Sequence, residues 1–302
     1  VVLKLLPIEL PPLPGTDEPP VWVGKGFRVG GKLCSVLEYA DGEAEGWSDD
    51  LTAFHEDTAG ENHYIDRASR EHAVSRLEKW LSSKGGRSPV ILDIGCSSGF
   101  LLKTLRSRFP EAVLLGSDFV RSPLVKLASA WPDLPLLRFD LVRCPLPDAV
   151  LDAAVLLNVL EHIEDDFAAV RQVFRILKPG GIAVVEVPAN PNLYDVYDKL
   201  LLHWRRYRMK DLLARFEAAG FEVLEKSHLG FLLYPGFWLV KKRNRRHLAA
   251  DVERQRQIVA ANIRQGSSSQ FLARLMRWEA SLRERVYLPT GIRCLLVCRR
   301  PA

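Results

Sequence analysis

The residues best placed to do chemistry are three aspartates that each close an apolar run, one of them leading into a glycine-spaced turn. In Val90–Phe100 (VILDIGCSSGF), Asp93 closes the run, Gly95 and Gly99 let the chain turn tightly, and Phe100 onward supplies a helix N-terminus. An acid at a strand end, then a glycine turn, then a helix can hold a nucleotide-type cofactor. Alone, the same pattern is also an ordinary strand-to-helix turn. Asp118 closes LLGSDF and Asp140 closes RFDL. Farther along, LLNVLEHI places Asn158, Glu161 and His162 directly after an apolar run. A histidine titrates near neutrality and can take up or release a proton there. Two further clusters mix rings with arginines: His63-Tyr64 with Arg67, and His203-Trp204-Arg205-Arg206-Tyr207. Such mixtures suit a planar or anionic ligand. They also suit the start of an amphipathic helix with a solvated basic face.

The elements that must position these residues alternate. Helical periodicity spans 61–84 and stops at Lys84-Gly85-Gly86. Strands are predicted over 90–94, 112–116, 134–139, 153–157, 182–187, 221–227 and 293–298. Helices are predicted over 100–108, 122–130, 165–177 and 209–219, with Pro179-Gly180-Gly181 turning one helix back into a strand. Strands alternating with helices predict a doubly wound α/β fold, a mostly parallel seven-stranded sheet covered on both faces. In such a sheet the site lies beyond the carboxyl ends of the strands. The expected organisation is an irregular extension over 1–60 holding a short hairpin, a core over 61–230, an apolar and basic helical insertion over 231–290, and a final core strand over 291–302.

These motifs, in this order, resemble the class I S-adenosylmethionine-dependent methyltransferases, whose first motif reads roughly (V/I)LD(I/V)GCGxG. Ser97 stands where the middle glycine is usual. The resemblance runs from about residue 61 to 230 and includes the last strand. It implies S-adenosylmethionine as cofactor, held by Asp93, Gly95, Cys96, Ser97 and Gly99 in the loop. Asp118 would take the ribose, with Phe119 beside the adenine. Asp140 and Leu141 would take the adenine amino edge, and Asn158 completes the set. His162 would act as general base beside Glu161, next to the transferable methyl. His63, Tyr64 and Arg67, with His203, Trp204, Arg206 and Tyr207, would line the acceptor pocket. Some members bind a divalent metal through E-x-x-E-H at this place. Here Asn158 holds the first position, and no metal is expected.

Rival uses of the fold fit less well. A nicotinamide fingerprint laid on Gly95 requires glycines where Ser97 and Phe100 stand, and no GKS or GKT follows the turn to make a phosphate loop. A module that binds the cofactor without catalysis, or an NAD-dependent oxidoreductase on a related fold, is the alternative. The net charge is +5 and the five cysteines lack paired metal-like spacing, which predicts reduced thiols in a cytoplasmic protein. Twelve Lys/Arg against four Asp/Glu fall within 241–285, so the basicity is local, and nucleic acid is not the expected partner. A small-molecule or glycan acceptor is expected instead, as in secondary metabolism. The chain has no predicted membrane span, while peripheral membrane contact through 229–246 and a homodimer stay open.

Overall fold

Buried apolar runs dictate the centre of the molecule. A computed structural model describes residues 6–40, 51, 60–82, 88–267 and 269–302. The predicted helix stop at Lys84-Gly85-Gly86 lies outside the described residues. Four short strands come first: β1 (Val21–Trp22), β2 (Phe27–Val29), β3 (Lys32–Cys34) and β4 (Leu37–Glu38). The first three form a small antiparallel meander. Helix α1 (Tyr64–Leu81) then leads to β5 (Val90–Ile94), in which every residue is buried. The alternation continues through α2 (Phe100–Arg108), β6 (Val113–Asp118), α3 (Arg121–Ala130), β7 (Leu136–Arg138), β8 (Leu151–Leu157), α4 (Asp166–Ile176) and β9 (Leu177–Pro188). After β9 come α5 (Val196–Leu200), α6 (Met209–Ala218), β10 (Glu222–Leu229), α7 (Tyr234–Asn244), α8 (Val252–Ser267), α9 (Gln270–Arg283) and β11 (Arg293–Arg299).

The main sheet has the order β10-β11-β9-β8-β5-β6-β7-β4. Strands β4 to β9 pair in parallel, and β11 runs antiparallel to both β9 and β10. The sheet therefore has eight strands where seven are expected from the sequence. The extra strand is β4, two residues of the N-terminal extension paired with β7. So short a run carries too little alternation to be read as a strand. One face of the sheet packs Leu92, Leu156, Val185 and Leu296 with Val170, Val173 and Phe216. The other packs Ile91, Val155 and Val184 with Leu77, Leu102 and Leu124 from α1, α2 and α3. That two-sided burial is why these strands read as unbroken apolar runs.

The predicted insertion is helical. α8 packs on α5 through Val196, Leu200, Val259 and Ile263. α9 lies along α1, where Met276 joins Ile65, Ala68, Leu229 and Ile292. Glu279 anchors it by accepting the backbone N–H groups of Gly230 (2.6 Å) and Leu232 (3.0 Å). No described helix is long and apolar enough to cross a membrane. All five cysteines are free thiols; Cys294 and Cys298 sit buried on β11.

Candidate functional site

Strands β5, β6 and β7 end side by side, which brings the first three acids to one edge of the sheet. Beyond β5 the loop Gly95–Gly99 takes left-handed φ values at Gly95 (74°), Ser97 (44°) and Gly99 (76°). The two glycines are required twice over. A Cβ on Gly95 would lie 2.6 Å from Val159 Cγ2, and one on Gly99 would lie 2.8 Å from Leu127 Cδ1. Ser97 tolerates a conformation that L-residues adopt at a cost of roughly 1–2 kcal/mol. The amides of Gly95 (2.8 Å) and Cys96 (2.9 Å) both donate to the Ser117 carbonyl and lock the loop onto β6. The Cys96 side chain is buried in the core beside Leu102 and Leu136, so this residue faces the loop through its backbone alone.

Asp118, ending β6, organises the loop. Its Oδ2 accepts the Ser97 amide and its Oδ1 the Val120 amide, both at 2.9 Å. These two bonds make Asp118 the brace of the loop. Burial pushes the Asp93 carboxyl well above the ordinary carboxylate range, and the nearby Asp118 adds to the shift. Asp140, after β7, caps the turn Leu141–Arg143 by accepting the Val142 amide at 3.0 Å. Phe119 is backed by Arg138, whose Nε donates to the Phe119 carbonyl (3.0 Å) while Nη1 reaches Glu38 Oε2 (3.3 Å). Glu38 lies on β4, so the unexpected edge strand props this corner. Nothing in the local sequence signals that support, because the partners stand a hundred residues apart.

A second group forms beyond β8. Asn158 follows the strand at φ 56°, and its Nδ2 donates to Glu186 Oε1 at 3.4 Å. The single turn Leu160–His162 then presents Glu161 and His162. His203 arrives from the segment after α5, and the rings of His162 and His203 meet edge to face at 4.7 Å. Glu161, His162 and His203 each bring one ligating atom within 4.8 Å of the others. Glu161 is fully buried, and neither carboxylate oxygen has a hydrogen-bond partner among the described residues. Burial pushes its carboxyl up to about 8. His203 Nδ1 lies 2.9 Å from Asp198 Oδ1. Burial opposes charge on Asp198, yet Lys241 and Arg206 outweigh it and hold the carboxyl well below its usual range. Burial lowers the His203 pKa despite Asp198, so the ring is neutral, donates from Nδ1 and keeps Nε2 as an acceptor. Three donors at this spacing could serve proton transfer or hold a small cation. His203 is the member that E-x-x-E-H spacing alone does not reveal.

The other residues named from the sequence fall into two kinds. Arg206 and Tyr207 are buried and spend their polar groups on the protein. Arg206 donates to Asp198 (2.8 Å), the Ala189 carbonyl (2.8 Å) and the Ile292 carbonyl (3.3 Å). The Tyr207 hydroxyl lies 2.8 Å from Asp166 Oδ2 and 3.0 Å from the Leu160 carbonyl, pinning the turn that carries Glu161 and His162. Trp204 is exposed, and its amide donates to the Glu161 carbonyl at 2.8 Å. His63 opens α1 and pairs with Asp66 at 3.0 Å, Tyr64 packs beside Leu229 and Ile292, and Arg67 pairs with Glu71 on the exposed face.

One clamp escapes sequence reading. Arg293 of β11 reaches Glu186 Oε1 of β9 (2.6 Å), Asp66 Oδ1 of α1 (2.5 Å) and Ser69 Oγ (2.7 Å). Burial works against its charge, but Glu186 and Asp66 overcome that and raise its pKa. The available signal was a charge inside each of two apolar strands, VVEV and RCLLVC.

Comparison with known proteins follows this geometry. A family model described as "Methyltransferase domain" matches residues 62–226, more than half the chain. A protein of Mycolicibacterium smegmatis named "Probable S-adenosylmethionine-dependent methyltransferase" is 28% identical over 138 residues, covering 44% of this chain and 52% of its own length. The ubiquinone biosynthesis O-methyltransferase of Pseudomonas paraeruginosa is 27% identical over 131 residues, covering 41% and 56%. The chain thus spans about half the length of the curated relatives it matches. In structure it resembles Phospholethanolamine N-methyltransferase 2 of Haemonchus contortus, with a TM-score of 0.53 at 15% identity, covering 84% of this chain and 58% of that one. That enzyme was solved with phosphomonomethylethanolamine and S-adenosylhomocysteine.

Proposed function

Because this chain belongs to the class I S-adenosylmethionine-dependent methyltransferases, we propose that it transfers a methyl group to an oxygen of a small-molecule or glycan acceptor, with His162 as base. The observation that carries this reading is the convergence of Glu161, His162 and His203 within 4.8 Å, one strand away from the glycine loop. The donor edge fits the family's cofactor by its chemistry. Strand-end carboxylates suit hydroxyl and amino groups, backbone amides surround a turn with little side chain, and the loop 95–99 holds no lysine for a phosphate. When bound, S-adenosylmethionine supplies an activated methyl whose bond to sulfur breaks with the electron pair leaving on sulfur.

The chain's residues do the rest. Asp118 and Asp140 fix the donor against β6 and β7, so the nucleophile has one line of approach. His162 accepts the proton that an acceptor hydroxyl sheds as its oxygen bonds to the methyl carbon. His203, oriented by Asp198, packs its ring against His162 and limits how that ring can turn. Burial, which raises the Glu161 carboxyl to about 8, favours its uncharged form in this cluster. Arg206 and Tyr207 support these groups from behind, leaving Trp204 and the His63–Arg67 segment to meet the acceptor. The free thiols suit a cytoplasmic setting.

Calorimetry with S-adenosylmethionine, followed by a screen of hydroxylated small molecules and glycans for transferred label, tests the reading. Binding plus transfer to oxygen is expected, and dialysis against a chelator should leave the rate unchanged. Binding without transfer to any acceptor would favour a partner subunit that has lost catalysis. A rate lost to the chelator and restored by a divalent cation would reassign Glu161, His162 and His203 to a metal.

A further inference from the structure

Helix α7 packs Phe237 inward against the cluster of Ile65, Leu229 and Ile292, yet it also turns large apolar side chains outward. Its buried positions are Lys241 and Asn244, while Trp238 is 44% and Leu239 63% exposed. A helix on a water-facing surface normally shows the reverse. The inner face has a clear reason. Lys241 Nζ bridges Asp195 Oδ1 (2.6 Å) and Asp198 Oδ2 (3.0 Å), and lies over the rings of Tyr197 and Phe237. Among the described residues nothing covers the outer face. Pro235, Trp238, Leu239, Lys242, Arg243 and Arg246 are all exposed, at intervals that keep them on one side of the helix and the turn after it.

The composition of that face selects its partner. From Leu229 to Ala250 there is no aspartate or glutamate. The Lys242 ammonium stands 4.9 Å from the Trp238 ring centre. A shallow hollow beside it is lined by Asn192, Leu193, Trp238, Lys242 and Arg245. An indole and a leucine side by side, ringed by cations of one sign, match a helix lying in the headgroup layer of a bilayer. The indole and the leucine enter the acyl boundary and the cations meet lipid phosphates. A protein partner would need both an apolar slot and an acidic rim of matching shape. An anionic bilayer supplies both everywhere.

We infer that α7 seats this protein on an anionic phospholipid surface. The same helix forms the outer wall of the acceptor side, since Lys241 grips Asp198, Asp198 holds His203, and His203 abuts His162. A seat there brings the acceptor side against the membrane and suits an amphiphilic, lipid-borne acceptor. That last step rests on the methyl-transfer reading; the seat itself does not.

Co-sedimentation of the full chain with vesicles decides the matter. Binding to phosphatidylcholine mixed with phosphatidylglycerol, reversed by high salt, is expected, with none to phosphatidylcholine alone. The double variant Trp238→Ser, Leu239→Ser should weaken binding roughly tenfold, and Lys242→Glu with Arg246→Glu at least as much. Cofactor affinity, read by calorimetry, should stay unchanged in both variants and shows that they fold. Equal binding to both vesicle types, or wild-type binding by both variants, would overturn the inference. So would a dimer, seen by sedimentation equilibrium, that Leu239→Ser dissolves, because a second copy would then own the face. Vesicle binding without any methyl transfer would leave the seat standing and count against the enzymatic reading alone.

Discussion

The glycine-loop edge and the Glu161 cluster of this molecule are built on opposite principles. Around Gly95–Gly99 the protein works with backbone shape, and its charged groups are tied into short-range hydrogen bonds such as those from Ser97 and Val120 to Asp118. Around Glu161 it works with buried titratable side chains gathered from distant segments, and one carboxyl has no hydrogen-bond partner among the described residues. The first arrangement is shaped by backbone conformation. The second stores unfavourable electrostatics. If the contrast holds, changes at the two places should fail in different measurements.

The largest effect is expected at His162. His162→Ala should lower kcat by roughly 100-fold or more while calorimetric affinity for S-adenosylmethionine stays near wild type. Wild-type turnover, with methyl transfer shown to be rate-limiting, would end its assignment as base. Asp118→Asn should do the converse. Losing one charge-assisted bond costs about 2 kcal/mol, so cofactor affinity should fall about thirtyfold with much less change in saturated kcat.

Glu161 should show itself in stability against pH. Its folded pKa of about 8 stands above the ordinary 4.5, so the native state holds the proton more tightly than the unfolded chain. The favourable contribution is complete below about 4.5 and is lost as pH rises through about 8. Melting temperature should therefore decline across that window in the wild type and decline less in Glu161→Gln. Parallel curves for the two proteins would remove the argument for stored strain. The smallest effect belongs to Ser97. At φ 44° a β-branched side chain fits poorly, so Ser97→Val should cost about 1–2 kcal/mol in denaturant unfolding, whereas Ser97→Gly should stay within about 1 kcal/mol of wild type.

The two regions also differed in how far sequence could reach them. Asp118, Asp140 and the glycine turn are local features, because strand ends and turn residues announce themselves within ten positions. The unbroken apolar strands likewise revealed a two-sided sheet. His203 beside His162, Lys241 on Asp195 and Arg293 on Glu186 are tertiary facts, joining residues 41, 46 and 107 positions apart. A charge in an apolar run signals that a partner exists and says nothing of where it is. β4 was hidden for another reason: its two residues pair with Leu137 and Arg138 far along the chain, and periodicity cannot register so short a strand.

The place of β11 has a bearing on how the molecule comes into being. It lies between β9 and β10, yet the ribosome makes it more than sixty residues after β10. Until it emerges, β10 has no neighbour, Glu186 is a buried acid awaiting its cation, and α1 is not yet fastened by Asp66. The nascent chain must therefore carry an open sheet edge through the synthesis of three helices, exposed to mispairing and to chaperones. Completion of the sheet beyond β9, with the Arg293 clamp on Glu186 and Asp66, waits on one late strand.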